Sequence, residues 1–197
     1  MEMTVDALGQ ECPIPVVRTK QALSTFEEGA VETLVDNQTA VHNLENLAKT
    51  LKCTSEVTDR GDGTFAVRVT KDANSVQAAD VPAGTGGTRV VVISSDKMGN
   101  GDDTLGGNLM KACIFALTQQ DALPDTVLFY NGGVHLTCEG SECLEDIQKL
   151  VDAGVEVMSC GNCLKFYDKE DKLAVGEVTN MYVILEKQLQ AGVVVRP

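Results

Sequence analysis

The chain has 197 residues, of which 43% are hydrophobic, and a formal charge of −13. That length fits one large domain or two small ones with an ordinary packed core. The acidic balance, the lack of Trp and the 4% aromatic content disfavour nucleic acid and anionic membranes, which need Lys and Arg and stacking rings.

Residues 3–8 predict a short strand. Behind it stands Cys12-Pro13-Ile14-Pro15. Proline is tolerated in the first helical turn, where its missing amide has no partner to lose, so a proline pair marks a helix start. The reading is a helix over 13–25 with Cys12 as N-cap and Ile14, Val16, Val17 and Leu23 toward a sheet. An N-cap sulfur facing the helix dipole and the amides of Ile14 and Val16 favours the thiolate, the reactive form, by about one pKa unit. Glu11 opposes this weakly. The alternative is a small apolar cysteine that only packs.

A strand follows over 30–36, then a helix over 38–51 with Val41, Leu44, Leu47, Ala48 and Leu51 on one stripe. Strands over 53–58 and 64–70 flank Arg60-Gly61-Asp62-Gly63, a hairpin turn signal. Residues 72–87, ending in a glycine cluster, show no period and read as a linker between domains 1–71 and 88–197. If flexible, its reach is roughly 20–25 Å.

The second segment opens with a strand over 88–94 whose Val90-Val91-Val92-Ile93 core suits burial on both faces. The loop 95–103 lacks Gly-Lys-Ser/Thr and carries Asp96, Asp102 and Asp103, which repel phosphate; it also lacks EF-hand order. Asp102 or Asp103 then serves as an N-cap. A helix over 104–120 is expected to bury Leu105, Leu109, Ala112, Cys113, Ala116 and Leu117. Further along come a strand over 126–130, a turn at Asn131-Gly132-Gly133-Val134 and a helix over 141–153 with Leu144, Ile147, Leu150 and Val151 inward. A strand over 155–159 runs into Cys160-Gly161-Asn162-Cys163. A short helix from Leu164, a helix near 180–190 and a strand over 192–195 close the chain. Strands alternating with helices predict a parallel sheet covered on both faces, with reactive groups beyond the carboxyl ends of its strands. The stretches 94–103, 131–138 and 160–163 occupy that end.

The chain holds seven cysteines. No apolar run reaches the ~18 residues of a membrane span. Met1-Glu2-Met3-Thr4-Val5-Asp6 has neither the basic nor the apolar region of a secretory signal, so the expectation is a cytoplasmic protein with thiols rather than disulfides. Cys160-x-x-Cys163 suits dithiol exchange, with Cys160 as the reactive thiol. The spacing also suits half a zinc site, completed by Cys138 and Cys143, or inert packing. His42 reads as solvent-facing. His135 lies near the proposed thiol end, while Cys53 and Cys113 read as packing residues.

The run from Asp6 through Gly9, Cys12, Pro13 and Pro15 to Val17, with Leu23 downstream, resembles the TusA/SirA family of sulfur carriers, and the β-α-β-α-β-β order over 1–71 agrees. The resemblance implies a two-layer sandwich and a persulfide carried on Cys12, with Asp6, Gly9, Pro13 and Pro15 supporting the motif. Phe129-Tyr130-Asn131-Gly132-Gly133-Val134 resembles the DsrE/TusD-like family, whose members often carry a sulfur-binding cysteine where Cys160 falls. This implies a three-layer parallel-sheet α/β domain over 88–197. The tandem, with the 95–103 loop and the segment from Cys160 to Leu164, is similar to YedF-type proteins linked to selenium metabolism. DsrE-like subunits commonly work in mixed oligomers, whereas here the domain is fused, and Cys163 leaves open which thiol acts.

The expected function is a sulfur or selenium relay without a cofactor or bound metal. A cysteine desulfurase would be the donor and the acceptor is open. Association into a homo-oligomer is implied by the DsrE-like resemblance. Two alternatives stand beside it: a binding or regulatory module with packed or zinc-bound cysteines, and a dithiol oxidoreductase using Cys160 and Cys163.

Overall fold

The computed structural model describes residues 1–11, 13–72, 75 and 87–197. The chain divides into two compact units, Met1–Pro82 and Ala83–Pro197. The boundary falls inside the expected linker, most of which lies outside the described residues.

The first unit runs β1 (Glu2–Asp6), α1 (Ile14–Ser24), β2 (Gly29–Val35), α2 (Gln38–Thr50), β3 (Thr54–Asp59) and β4 (Phe65–Lys71), the expected order. Its sheet is ordered β1-β2-β4-β3, with β1 parallel to β2 and the remaining pairs antiparallel. Alternation sorts the two faces of β2. Val31, Thr33 and Val35 are fully buried on the helix side, where they join Leu23, Val41, Leu44, Ala48, Val67 and Val69. On the other face Glu32 lies opposite Arg68, itself opposite Glu56 and ion-paired with Glu2. Helix α1 buries Pro15, Thr19, Ala22 and Leu23, so Ile14 and Val17 stay at the margin instead of facing the sheet fully. The Thr19 hydroxyl is satisfied by Pro15 O and the Thr33 hydroxyl, both at 2.7 Å.

The second unit is a five-stranded parallel sheet ordered β8-β7-β6-β5-β9, from β5 (Arg89–Ile93), β6 (Thr126–Phe129), β7 (Glu156–Cys160), β8 (Glu177–Thr179) and β9 (Val193–Val195). Val91, Ile93, Val127, Phe129 and Val157 face α3 (Asp103–Thr118) and α4 (Leu144–Asp152). Val90, Val92 and Leu128 face the other way, onto Ile184 of α6 (Met181–Gln190). The result is three layers, as expected for a parallel sheet buried on both sides. The strand β8 was not anticipated; three residues with one polar flank give too short a pattern.

Three local expectations are corrected. Residues Asn131–Thr137 form a 3-10 helix rather than a simple turn, and α5 (Gly161–Phe166) begins directly after Cys160 rather than at Leu164. In α3 the buried row is Gly106, Met110 and Ile114, whereas Leu105 and Leu109 are 57% and 43% exposed. The loop before α3 folds back on it: Met98 N donates to Gly106 O at 3.0 Å, and a Cβ at Gly106 would meet Lys97 Cβ at 3.2 Å. That close approach turns the 106–110–114 row inward. No helix among the described residues is long and apolar enough to cross a membrane.

Candidate functional site

In the first unit the segment that leads to Pro13 begins as a tied loop after β1. Asp6 closes β1, and its Oδ1 accepts from Leu8 N at 3.1 Å. Gly9 sits at φ +69°, a left-handed conformation that a Cβ would strain. Its N–H donates to Asp36 Oδ2 at 2.7 Å, just before α2. This bond, and next the Asn37 amide, holds the Asp36 carboxyl below the usual carboxylate range. Arg18 of α1 donates to Asp6 O at 2.6 Å and to Gln10 Oε1 at 3.1 Å. Asp6 and Gly9 thus fix the path that leads into the motif.

Helix α1 is capped by Pro13, not by Cys12. The Ile14 N–H donates to Glu11 O at 3.0 Å, and helical geometry starts at Ile14. The Ile14 amide is therefore spent on a carbonyl. Pro15 lies buried in the first turn. Cys12, the sulfur carrier expected from the motif, lies outside the described residues.

In the second unit Cys160 and Cys163 lie at the carboxyl ends of β6 and β7. Cys160 closes β7 and caps α5, with extended φ −66° and ψ 116°. Only 2% of it is exposed, and it packs with Val90, Val92, Leu128 and Ile184 on the α6 side of the sheet. Cys163, one turn on, is half-buried and touches the clusters of both layers. Its Sγ accepts the Asn131 N–H at 3.1 Å. Burial pushes the Cys163 thiol up; the Asn131 amide works against this, and the neighbouring Cys160 thiol works with it. Asn131 itself is held at φ +50°. Its Oδ1 accepts from the Tyr167 hydroxyl at 3.1 Å, and the Tyr167 ring packs 4.4 Å from His135 and 5.0 Å from Phe166. The sequence brought Cys160, Cys163 and His135 to this end of the sheet. It did not reveal the Asn131 N–H or Tyr167, whose only written signal is an Asn before Gly132-Gly133 at a strand end.

Cys138 and Cys143 do not join Cys160. They lie in the core on the α3/α4 side, with the sheet between them and Cys160. Cys138 Sγ donates to Val134 O at 3.1 Å, and burial pushes the thiols of Cys138, Cys143 and Cys113 up. Among the described residues no three His, Cys, Asp or Glu side chains converge as metal ligands, so the four-cysteine zinc set is not assembled. Asp102 caps α3 through Leu105 N at 2.9 Å. An open cleft of about 400 Å3 near this end is lined by Asp96, Lys97, Lys111, His135, Glu142 and Lys169. Lys97 pairs with Asp103 at 2.5 Å and Lys111 pairs with Glu142. His42 is exposed beside Glu45 at 3.9 Å, and Cys53 packs on the first core.

Residues 3–71 match the family model described as Sulfurtransferase TusA. A SirA-like protein from Desulfitobacterium hafniense is similar at 40% identity, over 34% of this chain and 95% of that one, with a TM-score of 0.34. The ychN protein from E. coli aligns at 14% identity over 56% of this chain and 99% of its own, with a TM-score of 0.45. A protein of unknown function from Methanobacterium thermoautotrophicum aligns at 23% identity over 56% and 99%, with a TM-score of 0.42. Among curated proteins, none matches the chain.

Proposed function

The amino-terminal unit is a TusA/SirA-like sulfurtransferase domain, and from that premise we propose that the chain is a cytoplasmic sulfur relay that loads Cys12 with a persulfide. The observation that carries this reading is the Cys12-Pro13-Ile14-Pro15 motif inside the matched segment. Pro13 and Pro15 of that motif follow the loop that Asp6 and Gly9 tie down. The Cys12 thiolate attacks the outer sulfur of a donor persulfide, and the donor cysteine leaves as its thiolate. A cysteine desulfurase is a donor of that class. The sulfur then passes to a thiol of the second unit or to an outside acceptor, and selenium follows the same path as a perselenide. The second unit's likeness in sequence to DsrE-like and YedF-type proteins supports a fused relay. Exposed Val178, Met181, Tyr182, Leu185 and Leu189 on β8 and α6 support association with further copies.

The test incubates the full chain with a cysteine desulfurase and cysteine, then maps adducts by non-reducing mass spectrometry. One added sulfur on the Cys12 peptide, absent in Cys12→Ser, is the expected result. An unmodified Cys12 beside a turning-over desulfurase overturns the reading and leaves the binding-module alternative.

A further inference from the structure

We propose that Cys160 and Cys163 form a discharge pair: Cys163 carries a sulfane sulfur, and Cys160 displaces it as hydrosulfide, leaving a disulfide between the two. The idea rests on the relay reading for its supply of persulfide but assigns the second unit its own reaction.

Burial divides the roles. Cys160, 2% exposed among apolar side chains, is closed to any protein donor, so the sulfur within its reach is that of Cys163. Cys163 is half-buried and open enough to be loaded. The Cys163 side chain packs against the cluster that holds Cys160. A disulfide needs Cβ atoms about 3.5–4.5 Å apart, and Cys160 and Cys163 stand at the N-cap and in the first turn of one helix, on neighbouring turns of the same backbone. The Asn131 N–H, 3.1 Å from Cys163 Sγ, favours the thiolate with which Cys163 takes up the sulfane sulfur. Tyr167 holds the Asn131 side chain, which helps keep that donor in place.

The step balances. The Cys160 sulfur attacks Cys163 Sγ of the persulfide. An S–S bond forms between the cysteines as the bond to the outer sulfur breaks. The Cys160 proton ends on the departing sulfur, which leaves as hydrogen sulfide or hydrosulfide. The outer sulfur gains two electrons, and the two cysteine sulfurs supply one each. The product is a better leaving group than an alkylthiolate, because a lower leaving-group pKa leaves faster. An external dithiol reductant of the thioredoxin class resets the disulfide. With selenium loaded, the product is hydroselenide. The pair thus turns a carried chalcogen atom into a free, fully reduced one, the form a reaction that consumes hydrosulfide or hydroselenide would need.

The test uses the full chain carrying Cys12→Ser, loaded anaerobically with glutathione persulfide and freed of excess donor. This bypasses Cys12, so a failure here is distinct from a failure of the relay reading, which the desulfurase experiment detects. The expected result is about one hydrosulfide released per loaded Cys163, with a Cys160–Cys163 disulfide on peptide mapping. Adding Cys160→Ala or Cys160→Ser should leave the sulfur on Cys163 and slow release by about a hundredfold or more, since an intramolecular thiol is lost. Two variants and a circular-dichroism spectrum guard against misfolding. Release from both folded variants at the parent rate, no disulfide in the parent, or no sulfur taken up at Cys163 would each overturn the proposal.

Discussion

Asn131 serves Cys163 through its backbone. In the left-handed region, which Asn tolerates better than most residues, it turns its N–H onto the sulfur while Tyr167 pins its side chain. Removing the Tyr167 hydroxyl should loosen this donor. Tyr167→Phe is expected to slow alkylation of Cys163 by about two- to fivefold near pH 8, within the worth of one hydrogen bond. Asn131→Gly, which keeps both the N–H and the conformation, should leave the rate within that range. Peptide-resolved iodoacetamide labelling checks both, and an unchanged Tyr167→Phe rate would remove the positioning role. The same assay reads the titration. Burial raises the Cys163 thiol, so its thiolate fraction at neutral pH is small. Labelling should climb about tenfold per pH unit through neutrality, with no plateau below the ordinary thiol value of about 8.5. A plateau near pH 7 would mean an activated thiolate that this site does not support. The spacing of Cys160 and Cys163 was readable from the chain. The donor on Cys163 was not, because Asn131 lies 32 residues away and meets it only when β6 and β7 lie side by side.

At the scale of elements, glycine decides how the 3-10 helix after β6 docks. A Cβ on Gly133 would stand 2.1 Å from Ile93 O, the backbone at the end of β5. One on Gly132 would make an ordinary 3.7 Å contact with Ser95 Cα. Gly133→Ala should therefore destabilise the second unit by at least ~2 kcal/mol or abolish its folding, whereas Gly132→Ala should cost less than ~1 kcal/mol. Urea unfolding of both variants compares them directly, and equal stabilities would show that the β5 end can yield. Elements with strong periodicity, such as α2 with Val41, Leu44 and Ala48, were legible in the sequence. The inward row of α3 was not. Leu105 and Leu109 are the more apolar choice, but the packing of Gly106 against Lys97 and Met98 turns that row outward. The start of α1 shifted by one residue for a similarly local reason, the bond from the Ile14 N–H to Glu11 O.

Across the whole molecule, titration loads the two units unequally. Among the described residues, the thiols pushed up are Cys113, Cys138, Cys143 and Cys163, each mainly by burial, and all belong to the second unit. A group whose folded pKa is raised contributes stability that is complete below its unfolded value and lost as pH rises through the folded one. For a thiol that window opens at about pH 8.5. Asp36 and Asp62 in the first unit, and Glu142 in the second, are held low by their hydrogen bonds to Gly9, Thr64 and Lys111. Their contribution is present above the unfolded carboxylate range and fades as pH falls, so acid weakens both units. Alkali should weaken the second unit selectively. Limited proteolysis with peptide mapping, in reductant at about pH 7 and about pH 9.5, follows both units in one chain. Cleavage rates within Ala83–Pro197 should rise more on going to the higher pH than those within Met1–Pro82. Equal acceleration in the two, or a faster rise in the first, would mean that the buried thiols do not govern the alkaline limit. The same experiment after alkylating Cys163 alone separates its share from that of Cys113, Cys138 and Cys143, whose side chains pack within the core on the α3/α4 side or at its margin.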